Sequence, residues 1–445
     1  MSGAGSVLRL EARRNITPLL LPVLALLLWF SPYGRSLGDP ALWVRRSSAL
    51  LESMAGIAPF MAGVAAWTGS RDGRRQTLDL MATTPVSGWR RALYGWAATT
   101  AWGLLFYAVA AAVLLVLTAR DATWGGPSWW NVGVGAATIV AFSAAGHALG
   151  TLFPGRFVAP LTAICSFLVL VIGAILKSVS TPFGLVTPVG TPIDPDHAMF
   201  FRTGPAEAIV QLTFLLGVTA VSLGALGLRH RAGIALAAAG TVAAATGLWL
   251  AGSSTLNSNE SRIFIPHLQR SATPREVSYT PVCDHSAIPV CVHPAYRKAL
   301  GDVATALRPV TGQLAGLPGV PSRIDLRPDK STTGSTVLYL APPLDQVDHG
   351  NQIVGDDARE LRAFMVFNVV GNGDGAAQQA VMLGILAAAG DPMDSAVLPF
   401  RGEAAPEVTS AARRFAALPA AQRRQWLAAH LDALQSGRLS LKDLP

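Results

Sequence analysis

The stretch "RRQTLDLMATTPVSGWRRAL", Arg74 to Leu93, crowds four arginines, a proline and a short amphipathic turn into a chain that is 51% hydrophobic and only 14% charged. Its neighbours explain it. Segments 48–68 and 92–118 are long and apolar, near the roughly 20 residues a helix needs to cross a hydrocarbon core. Arg74–Leu93 therefore reads as a loop between two membrane spans. Working outward, the 445 residues hold seven such apolar segments, at 16–31, 48–68, 92–118, 131–153, 157–178, 206–228 and 232–251. The first carries Pro18 and Pro22 and follows Arg9, Arg13 and Arg14, as a signal peptide would. No small-residue cleavage site follows "LALLLWFSPYGRS", however, and more spans come after it.

Beyond Ser253 the apolar runs stop, and charge, proline and short periodic segments mix as in an ordinary soluble domain. The charges divide at the same place. Residues 1–255 carry 17 Lys+Arg against 9 Asp+Glu, and the totals of 35 and 27 leave 18 against 18 for the remainder. A basic balance confined to the membrane half argues against nucleic acid as a partner and for an orientation signal. With the N-terminus inside, the cytoplasmic segments hold Arg9, Arg13, Arg14, Arg71, Arg74, Arg75, Arg90, Arg91, Arg156, Arg229 and Arg231. The opposite loops hold Arg35, Arg45, Arg46, Arg120 and Arg202, with Lys177 at a span's edge. That bias predicts an N-in topology, and seven spans then put the C-terminal domain outside the membrane. The 31 Arg against 4 Lys and the abundant Ala and Gly resemble the product of a GC-rich bacterial genome, hence a bacterial plasma membrane.

Cys165 lies in a span and reads as packing. Cys283 and Cys291, in "CDHSAIPVCVH", fall in the outer domain, where an oxidising compartment allows a disulfide. A zinc site using His285 and His293 is a rival, although the spacing matches none of the usual structural patterns; free thiols are the third possibility.

Within the opening loop, Leu78, Met81 and Ala82 recur at i, i+3, i+4 and give one apolar face, which Pro85 ends. Such a turn, flanked by arginines, can lie on anionic lipid or dock in a groove of a cytoplasmic partner. The stretch resembles the first cytoplasmic loop of ABC-2 type exporter permeases, in which Gly-Thr-Leu-Glu precedes a Leu-rich turn and then "TPVS". Thr77, Leu78 and Asp79 match the first part; Leu80, Thr84, Pro85, Val86 and Ser87 match the rest. The resemblance implies that Thr77, Leu78, Asp79, Leu80, Met81, Thr84 and Pro85 form the coupling helix that sits in a cleft of an ATPase subunit. "SVLRLEARR" is similar to the family's interfacial elbow, with Val7, Leu8 and Leu10 to bury and Arg9, Arg13 and Arg14 to face headgroups. Gln76 replaces the family's glycine, Arg74 stands where an acid is customary, and the family usually has six spans. The likeness covers roughly residues 5–230. No GxxxxGK[ST] occurs, so ATP and Mg would be bound by a separate ABC ATPase and this chain is not expected to be an enzyme or to hold a cofactor of its own. A homodimer or heterodimer of permeases is implied.

Four ionisable residues fall in or beside the spans. Lys177 and Glu207 are close enough to the outer ends to snorkel, and Glu52, about a turn inside the second span, has either an interfacial placement or a role there. His147 lies deepest, either as a packing residue or as part of the lining of a translocation pathway. Between the fifth and sixth spans, the proline-rich "STPFGLVTPVGTPIDPDHAMFFRTGP" reads as an external loop; the family resemblance implies short re-entrant helices there.

The outer domain reads as α+β. "AYRKALGDVATALRPVTGQL", "DARELRAFMVFNVV", "AAQQAVMLGILAAAG" and "AAQRRQWLAAHLDALQSG" read as helices, the last stopped by Gly437, and "SRIDLRP" and "STVLYLAP" as strands. Its element order resembles zinc aminopeptidase domains, yet no HExxH occurs, and His293, His349 and His430 have no glutamate in ligand spacing. The expectation is an amphipathic elbow (1–15), a helical permease domain (16–253) and a soluble extracytoplasmic α+β domain (254–445). A membrane-anchored sensor or assembly factor whose outer domain binds a ligand without transport is the alternative.

Overall fold

The computed structural model describes residues 9, 11–13, 15–38, 40–74, 87–178, 181–189, 199–202, 205–257, 262–270, 275–327, 337–340, 356–371, 375–393 and 404–445. The chain forms two compact units, Met1–Val277 and Ser278–Pro445. Residues 254–277 thus belong with the helices, although the apolar segments end before them.

Among the described residues, six helices are long and apolar enough to cross a membrane: Trp43–Gly69, Gly88–Asp121, Trp129–Leu152, Val158–Lys177, Ala206–Ala225 and Arg231–Gly252. The first expected span is broken. It gives α1 (Thr17–Trp29) and the short α2 (Pro32–Ser36). Ser31 between them is extended, as a residue before proline prefers, and its side chain accepts from Tyr33 N–H. Thirteen residues rise about 20 Å, short of the roughly 30 Å of hydrocarbon. The Trp43–Gly69 helix is likewise two pieces, α3 (Trp43–Glu52) and α4 (Met54–Gly69), meeting at Ser53. The following elements are α5 (Arg71–Arg74), α6 (Gly88–Asp121), α7 (Trp129–Leu152), α8 (Val158–Ser178), the five-residue α9 (Pro182–Val186), α10 (Ala206–Ala225) and α11 (Arg231–Gly252).

Side-chain bonds fix how these helices run. Asn15 Nδ2 donates to Thr99 Oγ1 of α6 (2.8 Å), and Tyr33 OH donates to the Ala110 carbonyl (3.0 Å). Arg46, just after this stretch, donates to the Ser36 carbonyl (3.2 Å) and to Thr118 Oγ1 (3.3 Å). From Thr99 to Thr118 is about 28 Å along α6 at roughly 1.5 Å per residue. Residues 15–36 therefore flank α6 over nearly a membrane's thickness, parallel to it, although α1 alone does not reach. The unit has a near end, where Asn15, Gly69 and Gly88 lie, and a far end with Ser36, Arg46 and Thr118. Ser128 N–H donates to Ser47 Oγ at the far end (3.2 Å), and Trp89 Nε1 donates to the Leu223 carbonyl at the near end (3.0 Å). The chain enters this bundle at the near end and leaves α11 at the far end, where Gly252 approaches Pro182.

Small residues set the helix spacing. A Cβ on Gly146 or Gly150 of α7 would lie 2.1 Å from the Ala62 or Ala66 carbonyl oxygen of α4. With apolar lipid on the outside, close backbone approach of this kind is a main source of helix association. The exposed faces carry Leu105, Val109, Val113 and Val116 on α6 and Leu161, Ile164, Leu168, Ile172 and Ile175 on α8, as lipid contact requires.

At the far end, α9 folds back on α8. β1 (Phe201–Arg202) pairs antiparallel with β4 (Arg275–Glu276), and β2 (Thr255–Asn257) with β3 (Arg262–Phe264). Leu185, Val186, Ala206, Val210, Ala251 and Ile265 form a small buried core there.

The second unit holds a four-stranded sheet in the order β5 (Val282–Cys283), β6 (Val290–Val292), β7 (Arg323–Leu326), β8 (Val337–Leu340); the first pair is antiparallel and the others parallel. Its helices are α12 (Leu300–Leu314), α13 (Asp356–Val370), α14 (Ala376–Ala388), α15 (Pro406–Ala417) and α16 (Ala420–Gln435). The expected strands and helices are present. Gly437, at φ 66°, ends α16, with its N–H on the Leu434 carbonyl. Arg362 of α13 holds the Asp391 carboxylate through Nε and Nη2 and donates from Nη1 to the Ala306 carbonyl of α12, tying α12, α13 and the segment after α14 together.

Candidate functional site

The candidate coupling residues Thr77, Leu78, Asp79, Leu80, Met81, Thr84 and Pro85 lie outside the described residues. Both roots of their loop are described, and both are firmly held. On the entering side, a Cβ on Gly69 would lie 2.5 Å from the His147 carbonyl oxygen, and one on Gly73 would lie 2.4 Å from the Pro154 ring. Arg74 stacks its guanidinium 3.5 Å from the Trp67 ring centre and donates to the Trp67 carbonyl at 3.1 Å. Arg71 meets the Glu11 carboxylate at 3.3 Å and Asp72 at 3.3 Å. Burial opposes the charge on Arg71, but the Glu11 and Asp72 carboxylates outweigh it and raise its pKa above the ordinary value.

Glu11 belongs to the N-terminal segment, of which residues 11–13 are helical. Trp102 of α6 donates from its indole to the Ala12 carbonyl at 3.0 Å. The expected elbow thus packs, in its described part, along α6 and beside the loop's first root. On the leaving side, Ser87 accepts from Arg90 N–H and starts α6. Trp89 stacks on His230 with ring centres 6.0 Å apart, and fills the space over Gly227 in the turn between α10 and α11. Described residues Arg71, Arg74, Arg90, Arg91, Arg156, Arg229 and Arg231 all sit in segments at this near end.

His147 lies on α7 about five residues before its end and is 3% exposed. A Cβ on Gly95 of α6 would meet its ring at 3.3 Å, and the Ala65 and Ala92 carbonyls face it. It is wedged among α4, α6 and α7 directly beneath the loop's first root. Its Nδ1 has no partner among the described residues.

The structure brings together two residues that lie thirty positions apart in the chain. Lys177 of α8 reaches Glu207 of α10 at 2.6 Å, and Lys177 is 3% exposed rather than snorkelling to an interface. Gln211, one turn further along α10, donates to Glu207 Oε1 at 3.1 Å and to the Thr187 carbonyl at 3.1 Å. The sequence signal was available, since both charges adjoin the proline-rich segment, but only the fold-back of α9 makes them neighbours.

In the second unit, Cys283 and Cys291 face each other across β5 and β6 and are joined in a disulfide, Cα atoms 4.0 Å apart. That bond removes the two thiolates a zinc site would have used, and no cluster of three His, Cys, Asp or Glu fit for a metal occurs among the described residues. His293 follows β6, 1% exposed, with Nδ1 accepting Ala295 N–H at 3.1 Å and its ring 4.3 Å from that of Tyr279. Burial, and next the Arg327 charge, push its pKa down to about 4. No protein-family model, curated protein or solved structure matches this chain.

Proposed function

We propose that this chain is the membrane-spanning permease subunit of an ATP-driven exporter of the ABC-2 type, acting in a bacterial plasma membrane. The reading is carried by the loop 75–86. Its Thr-Leu-Asp-Leu and Thr-Pro-Val-Ser runs resemble that family's coupling loop, and its roots lie at the arginine-rich end of the bundle, clamped to α7, to the α10–α11 turn and to Glu11. A force on such a loop has rigid levers to act on. The entering root continues into α4, whose backbone touches α7 at Gly146 and Gly150 and α8 through Gly63. The leaving root continues into the 34-residue α6. An ABC ATPase would bind and hydrolyse ATP with Mg; this chain would supply the pathway and the lever, as a homodimer or heterodimer of permeases surrounded by lipid.

The arginine bias supports the near end as cytoplasmic. Entry at the near end and departure at the far end support an odd number of passages, the six long helices preceded by one that α1 and α2 together would make. The disulfide supports an extracytoplasmic second unit.

Leu80→Asp tests the reading. A carboxylate forced into an apolar cleft costs several kcal/mol if unpaired, so docking should fail. The ATPase should no longer co-purify from native membranes, substrate-stimulated hydrolysis should vanish, and membrane insertion should persist because no span is touched. Arg90→Ala and Arg91→Ala, each removing one of several charges, should be mild. Intact partner binding in Leu80→Asp, with insertion lost in the arginine variants, would reduce the loop to a topological anchor. The ligand-binding sensor without transport would then be preferred.

A further inference from the structure

At the far end the fold-back is fastened to α8 and α10 by polar as well as apolar contacts. Thr181 starts α9, its hydroxyl accepting Gly184 N–H at 3.1 Å and donating to the Leu176 carbonyl at 3.1 Å. Gly184 lies flat on α8, where a Cβ would come within 2.4 Å of Lys177 N, and Gly173 receives Thr187 so closely that a Cβ would meet its Oγ1 at 2.2 Å. Above this, Ile265 is 2% exposed and packs with Leu185, Val186 and Val210. Apolar contact alone would hold such a segment. Yet a buried lysine, a carboxylate and an amide are built in beneath it. Lys177 binds Glu207, Glu207 accepts from Gln211, and Gln211 also holds the Thr187 and Leu185 carbonyls of the fold-back at 3.1 and 3.4 Å.

An ion pair of this kind is weak as a source of stability, since its desolvation offsets most of its attraction, and charges within a bundle mark function more often than packing. The geometry supplies a reason to keep it. Glu207 is 28% exposed on its side chain, so water takes over as its partner when the pair separates. Lys177 is in the last turn of α8, and its long stem can carry the ammonium to the same interface. Neither charge is stranded when the fold-back lifts. A pair tolerable both joined and parted is suited to a contact that must open and close.

We infer that Lys177, Glu207 and Gln211 form a latch that holds residues 181–189 down over the far end of the bundle and releases them when that end opens. In the permease reading, on which the word opening rests, substrate leaves at this end, and Ile265 packs on the fold-back through Leu185 and Val186. The network belongs to the described far end and uses no residue of the coupling loop.

The test is cysteine accessibility at Thr187, which is 4% exposed. T187C, with Cys165 replaced by serine, is treated with a hydrophilic maleimide in open membrane fragments, where both faces are reachable and no orientation is assumed. T187C alone should react slowly. Adding K177M should raise the rate at least tenfold, K177R should leave it slow, and the exchange K177E with E207K should restore most of the protection. Q211L, which frees the carbonyls without stranding a charge, should also expose the site and carries the test if K177M does not accumulate in membranes. Equal rates in T187C alone, with K177M and with Q211L would overturn the latch. So would an exchange variant as reactive as K177M. Absence of ATP-driven transport by the native chain and its ATPase, with this labelling pattern intact, would count against the permease reading and leave the latch standing.

Discussion

Replacing Gly146 by alanine adds one methyl group at the closest approach of α4 and α7. The new Cβ would lie 2.1 Å from the Ala62 carbonyl oxygen and 2.8 Å from its carbon. Real Cβ atoms essentially never come closer than 3.0 Å, so the helices must part by about 1 Å. The α4 backbone has little freedom to retreat, because Gly63 on the same helix already sits 3.1 Å, measured to a notional Cβ, from Ala163 of α8. A gap of about 0.5–1 Å forfeits a quarter to a half of each dispersion contact, at about 0.1–0.2 kcal/mol per atom pair. Over some tens of pairs along the interface the loss is about 2 kcal/mol, within the usual range for overpacking. Gly133 of the same helix provides the control, since a Cβ there meets nothing within 4 Å. Gly133→Ala should stabilise α7 slightly, by at most about 1 kcal/mol from helix propensity. Thermal loss of monodisperse protein in mild detergent is the assay. Gly146→Ala and Gly150→Ala should each melt several degrees below the native chain, Gly133→Ala at or above it. If the Gly146 and Gly133 variants melt together, the close α4–α7 contact is not what holds these helices.

The remaining predictions concern topology and the second unit. Reporter fusions at residues 80 and 350 should fall on opposite sides of the membrane, with residue 80 inside; the same side for both would remove the passage made by α1 and α2. Alkylation should reach Cys283 and Cys291 only after reduction, and serine at both positions should cost the second unit about 2–3 kcal/mol. Modification without reductant would contradict the bond. His293, whose pKa falls to about 4 in the folded chain against an ordinary 6.5, is neutral when folded, so the unfolded chain binds an extra proton between those values. Its contribution is complete above pH 6.5 and is lost as pH falls toward 4, by up to about 3 kcal/mol. His293→Phe in the full-length chain should flatten that part of the stability profile, and an unchanged acid limb would refute the assignment.

How much of this could be read from residues alone depended on whether the deciding interaction was local. Five expected spans became single long helices, because an uninterrupted apolar run of membrane length specifies itself. The first span did not, and the reason is also local: α1 runs through Pro22, but the extended Ser31 before Pro32 ends it, yet Asn15, Tyr33 and Arg46 then line the segment up along α6 through contacts no periodicity announces. The helix at 48–68 began earlier, at Trp43, since Arg45 and Arg46 look like loop residues until Arg46 is seen to be buried against Ser36 and Thr118. The disulfide, one of three readings of the Cys283 and Cys291 spacing, was decided by the pairing of β5 with β6. Lys177 and Glu207 mark the limit of such reasoning. Each, taken singly, is a charge near the end of an apolar segment, for which snorkelling is the ordinary outcome. Only when α9 turns back and Gly173 and Gly184 admit it against α8 does water lose access to Lys177, and burial then makes its partner a requirement rather than an option. The glycines were therefore the informative residues in that segment: they mark where a backbone must come close, and so where a charge beside them will be covered.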